Sequence, residues 1–213
     1  MITIRVKDAS GQTLAEAAHP EEALLCFDHV WQEGDRIEAE RQIVTARRMR
    51  PEETRALRDV ARNPLDLRGE TDFFPHCTAN VETRGEADFA ARNVIDGLRF
   101  NLHHGRWPHG SWGIGAREDA WCRIDFGREI LAERMALTLR ADFPHDAWWV
   151  SGHLADSAGG ELAFPLVKTA ERQWFDLGGR RVRWLRLERL VKSEDVSAFP
   201  SLRAWEVFGR DAD

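Results

Sequence analysis

Cysteine is scarce in these 213 residues, and long apolar runs are absent. The three cysteines, Cys26, Cys77 and Cys122, are odd in number and lack Cys-x-x-Cys spacing, so neither a disulfide framework nor a zinc knuckle is indicated. No apolar run approaches the roughly 18 residues that a membrane-spanning helix needs. The start alternates Ile2 and Ile4 with polar residues, which is typical of a strand and unlike a secretory signal. We therefore expect a cytoplasmic protein with no membrane partner.

Lysine is also scarce, and tyrosine is absent. Three lysines accompany 27 arginines, and 36 acidic residues outnumber the 30 basic ones, which gives a net charge of -6. That sign is wrong for a surface that holds phosphates, so no nucleic-acid partner is expected. The 43% of hydrophobic and 31% of charged residues are typical of a globular chain.

Tryptophan is plentiful by contrast, with nine residues, eight of them after position 100. Such a surplus of indoles in one part of the chain calls for a packing or binding role there.

The strand and turn pattern divides the chain into three segments. Residues 1–50 predict a small β segment, with strands near Ile2–Val6, across Leu24–Trp31 and from Ile37 to Val44. Residues 51–71 predict a helix over Pro51–Arg62 and a linker, because proline and glutamates begin this stretch and arginines end it.

Residues 72–213 predict a mainly β domain. Glu86–Asn93 predicts one short helix, and turn residues separate seven short strands without intervening helices, which is typical of a β-sandwich. The seven predicted strands are Ala120–Phe126, Arg134–Arg140, Trp148–Leu154, Leu162–Val167, Gln173–Leu177, Val182–Leu190 and Leu202–Phe208.

Four motifs resemble one known family. They are Asn93-Val94-Ile95-Asp96-Gly97, the Trp112 that follows it, Trp121-Cys122-Arg123-Ile124-Asp125-Phe126-Gly127 and Trp205-Glu206-Val207-Phe208-Gly209. Over about 120 residues they resemble the discoidin or F5/8 type C family, whose fold is a galactose-binding-like jelly roll. Three further segments look like a stand-alone bacterial subfamily described as carbohydrate-binding-like. They are Asn80–Glu86, Trp107–Gly113 and Asp142–Trp149. The resemblance implies a jelly-roll fold. The description carbohydrate-binding-like follows from that fold alone and does not by itself establish a function.

One departure from the family is an insertion rich in histidine and tryptophan, residues 98–111. His104, Trp107 and His109 lie in it, and Trp112 follows. Indoles stack on sugar rings while histidine and arginine supply directed hydrogen bonds, so this loop is a candidate carbohydrate site. The alternative is a long loop whose tryptophans pack as a small core beneath it.

A second cluster is the turn Asp142–Trp149. Its candidate ligand-binding residues are Asp142, His145, Asp146, Trp148 and Trp149. Two carboxylates beside a histidine could orient it as a general base or bind a divalent metal with it. Alternatively, the aspartates cap the turn. Adjacent residues of a strand face opposite sides, so one of the two tryptophans is expected to face the ligand.

A third group is Arg84 between Glu82 and Glu86. Arg84 either belongs to a solvated ion-pair network or donates two hydrogen bonds to a ligand, with Glu82 as its partner.

For metals, Asp96 and Glu206 occupy places where, by the family resemblance, discoidin-like modules often hold a structural Ca²⁺. The alternative is an Asx turn for Asp96 and an arginine partner, such as Arg203 or Arg210, for Glu206. A transition metal is not expected, although the histidines leave room for one.

The leading interpretation is recognition of a carbohydrate, sugar acid or other small polyol by the loop end of a jelly roll. The first alternative is an isomerase, epimerase or lyase with His145 or Glu82 as base, with or without assistance from a metal. The second is a protein-interaction module.

Overall fold

The computed structural model describes residues 2–19, 36–39, 51–69, 71–99, 109–141 and 147–212. The chain divides into two compact units, Met1–Met49 and Arg50–Asp213. Residues 51–71, predicted as helix and linker, belong to the second unit. No helix among the described residues is long and apolar enough to cross a membrane.

The first unit contains a three-stranded antiparallel sheet in the order β2-β1-β3. Its strands are β1 (Ile2–Lys7), β2 (Thr13–His19) and β3 (Arg36–Ala39). The predicted first strand is therefore confirmed, and β2 was missed. The predicted strand Leu24–Trp31 lies outside the described residues, as does the part of the third strand after Ala39.

The second unit is an antiparallel β-sandwich. After helix α1 (Pro51–Arg55), its strands are β4 (Arg58–Asp59), β5 (His76–Ala79), β6 (Trp112–Gly113), β7 (Cys122–Leu139), β8 (Trp149–Asp156), β9 (Glu161–Pro165), β10 (Gln173–Lys192) and β11 (Ser201–Asp211). The fold prediction is confirmed. The seven predicted strands become five, since two predicted pairs fuse into the long strands β7 and β10.

The long strands β7 and β10 form part of both layers of the sandwich. The first part of β7, Cys122–Asp125, pairs with β5, whereas its second part, Ile130–Leu139, pairs with β11. β10 accompanies β7 through both parts, with register shifts where the strands bend. β8 and β9 extend the first layer.

The core lies between these layers. Alternate apolar residues of β7, Met135, Leu137 and Leu139, face inside, and all three are at most 1% exposed. Each such side chain contributes roughly 1.5–3 kcal/mol by burial. The core therefore fixes which residues of each strand face outward.

The helix predicted over Pro51–Arg62 is wrong beyond Arg55. The Asp59 carboxylate accepts hydrogen bonds from the backbone N–H groups of Ala61 and Val207, both at 3.1 Å, and Arg58 pairs with Asp211 at 2.6 Å. These contacts tie the segment to β11 as strand β4.

The one short helix predicted over Glu86–Asn93 is replaced by separate short 3₁₀ helices. This part of the chain forms three 3₁₀ turns, Thr83–Gly85, Ala87–Phe89 and Ala91–Ile95. Between them, Glu86 and Ala90 have extended backbones, and the Glu82 carboxylate accepts the Ala91 N–H at 2.8 Å. Backbone turns closed by such local bonds replace a continuous helix.

Candidate functional site

Several loops meet at one end of the sandwich, which we call the loop end: residues 80–89, 109–121, 147–148 and 189–201. Asn80 N–H donates to the Trp121 carbonyl at 3.3 Å, and Ser193 N–H donates to that of Trp148 at 2.8 Å. Gly115 N–H donates to Thr83 Oγ1 at 2.9 Å. These bonds hold loops from distant parts of the sequence in one surface.

A cavity of about 260 Å³ opens at the loop end. Its walls come from the 3₁₀ turns, from the strand β6 and from the loop before β11. The lining residues are Thr83, Arg84, Phe89, Gly113, Ile114, Arg140, Ser197, Phe199, Pro200 and Ser201. The lining is mainly apolar with a few directed polar groups, which is the usual make-up of a small-ligand site.

Arg84 lines this cavity and contacts the side chains of Glu86 and Phe89. Its Nε and Nη2 donate to the two carboxylate oxygens of Glu86 at 2.6 and 2.8 Å, and its guanidinium carbon lies 5.4 Å from the centre of the Phe89 ring. The hydrogen bond from Arg84 lowers the pKa of Glu86. Arg84 remains 65% exposed, so further N–H donors are accessible to a ligand.

The opposite wall is the loop 193–200, which Lys192 organises. Its ammonium group donates to the carbonyl oxygens of Ser193, Asp195 and Ser197 at 2.6, 2.9 and 3.1 Å. The loop presents Phe199, whose side chain is 63% exposed. An exposed phenyl ring held beside a cavity is suited to packing against an apolar ligand face.

A second depression of about 580 Å³ adjoins the first at Ile114. Arg84, Ala116 and Arg189 are the three non-glycine residues with positive φ in the described chain, at 53°, 64° and 48°. Arg84 lines the first cavity, and the other two line the second. Such backbone conformations cost free energy and cluster at functional sites, so their grouping supports a binding role for this end.

Trp112 and one of Trp148 or Trp149 were predicted to contact the ligand, and the structure corrects this for Trp112 and removes Trp149 from the choice. Both are at most 1% exposed and belong to the core, where Trp112 Nε1 donates to the Val81 carbonyl at 2.9 Å. A fully buried ring has no face for a sugar. Trp148 is half-buried and packs against the core at the loop end, so it is the tryptophan of the pair with accessible surface.

Of the two alternatives for Arg84, the structure shows the solvated ion pair, which is formed with Glu86, and Glu82 is not its partner. One Glu82 oxygen accepts two hydrogen bonds from Arg68, at 2.5 and 3.0 Å, and the other accepts the Ala91 N–H. Glu82 therefore braces the turns beneath the site, and a role as general base gains no support. His109 is half-buried at the loop end.

The remaining predicted ligand-binding residues, His104, Trp107, Asp142, His145 and Asp146, lie outside the described residues. Their roles stay predictions.

The two residues predicted to hold Ca²⁺ each face an arginine. Asp96 contacts the fully buried Arg203 at 3.1 and 3.2 Å and accepts the Leu98 N–H, which is the predicted Asx turn. Glu206 forms two hydrogen bonds, of 2.6 and 2.7 Å, with Arg172. Within the described ranges no group of three or more metal-binding side chains occurs. A guanidinium already supplies the positive charge at each carboxylate, so these residues do not fit a calcium site.

Phe89, Ser197 and Phe199 line the cavity but were not predicted from the sequence. Phenylalanine and serine in a loop carry no signal of their own, and only the fold brings residues 89 and 199 to one cavity.

No protein-family model and no curated protein matches the chain. Solved structures match the sandwich. The lectin domain of lectinolysin, complexed with Lewis B antigen, has 17% identity, covers 73% of this chain and 98% of its own, and has a TM-score of 0.50. Chitosan-binding module 1 from the chitosanase/glucanase of Paenibacillus sp. IK-5 has 16% identity, coverages of 71% and 99%, and a TM-score of 0.50. At these identities the likeness establishes the fold.

Proposed function

We propose that the loop end binds a carbohydrate in the cavity between Arg84 and Phe199. The observation that carries this proposal is Arg84, which lines a mainly apolar cavity and is hydrogen-bonded to the neighbouring Glu86 carboxylate. A guanidinium that donates and a carboxylate that accepts can together bind two neighbouring hydroxyl groups.

An aromatic ring at the cavity can bind the apolar face of a sugar. A pyranose has an apolar face of C–H groups, and the exposed ring of Phe199 offers a surface on which that face can pack. Ser197 adds a hydroxyl to the same wall. The fold is shared with a lectin domain and a chitosan-binding module, which supports the same class of ligand.

We further propose that the histidine- and tryptophan-rich segments extend this site. The segment with His104 and Trp107 joins β6 through His109, and the one with Asp142, His145 and Asp146 runs from Ala141 to Ala147. Their described neighbours lie at the loop end, since Arg140 N–H donates to the Ser201 carbonyl at 3.0 Å and Trp148 accepts the Ser193 N–H.

The test is a glycan-binding panel that includes Lewis B and chitosan oligosaccharides, followed by calorimetry on any ligand found. We expect Phe199→Ala to weaken binding by about tenfold or more, since it removes the stacking surface. Phe73→Ala is a matched control because Phe73 is 62% exposed and Phe199 is 63% exposed. A panel with no ligand, or equal losses in both variants, would overturn the proposal.

A further inference from the structure

A second group of aromatic and arginine side chains lies outside the loop end, on the outer face of the sheet formed by β7, β10 and β11. Arg134 of β7 lies directly opposite Phe208 of β11 and Asp176 of β10, and Trp174 lies opposite Ala136. Residues two apart on a strand share a face, so these side chains project outward together while Met135 and Leu137 fill the core.

The guanidinium of Arg134 lies against two rings that also contact each other, and Arg172 lies 5.5 Å from the centre of the Trp174 ring. Its central carbon lies 4.6 Å from the centre of the Trp174 ring and 5.4 Å from that of Phe208, and the rings are 5.3 Å apart. Stacking uses the flat face of a guanidinium and leaves the N–H donors at its edge available. The two rings therefore fix the direction in which Arg134 presents those donors.

The neighbouring arginines of this face already have carboxylate partners. Arg172 pairs with Glu206 at 2.6 Å, and Arg210 pairs with Glu133 at 3.0 Å. Arg134 itself is exposed, and no carboxylate among the described residues lies within 4.0 Å of it, so its described contacts are with the rings. The Asp176 carboxylate, although opposite in register, accepts the Gly178 N–H at 2.8 Å.

A shallow depression of about 590 Å³ surrounds this arginine, and its lining includes the exposed side chains of Trp174 and Leu57. They are 44% and 54% exposed. Glu133 and Asp176 also line it, and their negative charges disfavour a densely charged polyanion. The chemistry that fits is one negative group for Arg134 on a ring whose apolar face packs against the tryptophan and the leucine.

We propose that this face is a second binding site, specific for a uronic acid unit. The carboxylate of the sugar accepts two hydrogen bonds from the edge of Arg134, because the guanidinium fork matches carboxylate geometry. The C–H face of the sugar ring packs against the exposed part of Trp174 and against Leu57. The site is separate from the loop end and does not depend on the function proposed there.

Calorimetry with D-galacturonate and its methyl ester tests the proposal, since the ester keeps the ring and removes the charge. We expect the acid to bind the wild-type protein at least about tenfold more tightly than the ester, because the charge-assisted bonds are lost. Arg134→Gln is expected to remove this preference, and Arg134→Lys to retain only part of it. Arg181→Gln is the matched control, since it removes an exposed arginine paired with Glu129.

Two results overturn the proposal: no binding of the acid by the wild-type protein at roughly 10 mM, tenfold above a Kd of about 1 mM, or equal binding of acid and ester. Unchanged preference in Arg134→Gln also overturns it. If that variant lowers the melting temperature, Arg134→Lys decides the outcome. Phe199→Ala keeps galacturonate binding if the two sites are distinct, so failure here and failure of the loop-end proposal are told apart.

Discussion

Trp112 and Trp149 stack in the core of the sandwich, with ring centres 6.1 Å apart and planes inclined by 29°. They come from strands β6 and β8, which are not hydrogen-bonded to each other. The two indoles thus close the core directly beneath the loop end. Most ligand contacts there must come from residues above them, although Trp149 also lines the second depression.

The first prediction concerns this stack. Trp112→Ala should lower the free energy of unfolding by about 3–5 kcal/mol, because it leaves a cavity in the core and an unpaired Val81 carbonyl. Chemical denaturation measures the loss. Trp148→Ala is the comparison, and its half-buried side chain should give a smaller loss. A stable Trp112→Ala protein that had lost only sugar binding would contradict the core assignment.

The second prediction concerns pH and Asp59. Burial raises the pKa of this carboxyl from 3.8 to about 6. The folded state therefore binds the proton more tightly than the unfolded state, so the stability that the group contributes is full below pH 3.8 and is lost as pH rises through about 6. Asp59→Asn removes this loss and retains the oxygen that accepts the Ala61 and Val207 N–H groups.

We expect Asp59→Asn to be more stable than the wild-type protein by up to about 2 kcal/mol at pH 7.5 and to differ little at pH 4. Urea unfolding at several pH values gives both curves. Asp119→Asn serves as control, because the pKa of the exposed Asp119 is lowered by its hydrogen bond with Arg117 and its replacement gives no gain at pH 7.5. Parallel curves for Asp59→Asn and wild type would refute the assignment.

The third prediction concerns Asp96 and calcium. Asp96→Ala should cost about 3–5 kcal/mol of stability, since it leaves the fully buried Arg203 without its carboxylate. Because the arginine already supplies the positive charge, we expect Ca²⁺ and EDTA to leave the melting temperature of the wild-type protein unchanged. A calcium-dependent rise that Asp96→Ala abolishes would instead support the metal site implied by the family resemblance.

The sandwich could be predicted from sequence because its signals are local. Alternation along Arg134–Arg140 indicated a strand, and the structure confirms the strand, although residues on both of its faces are buried from Met135 to Leu139. The residues of the site were harder to predict, because the burial of a side chain depends on contacts between residues that are distant in sequence. Trp112 looked like part of a binding loop, yet pairing of β6 with Ser201 and Leu202 of β11 draws it into the core. Phe199 lies beside the cavity because Lys192 binds the backbone of the loop that carries Phe199, and this contact could not be predicted from the sequence.

The sharing of β7 and β10 by both layers also bears on how the protein unfolds. Separating the layers would require both long strands to break at their bends, where β10 crosses from Val182 to Trp184. Neither layer can detach alone without losing half of each strand's partners. The slowest-exchanging backbone amides of the two layers should therefore exchange with deuterium together, in a single cooperative opening.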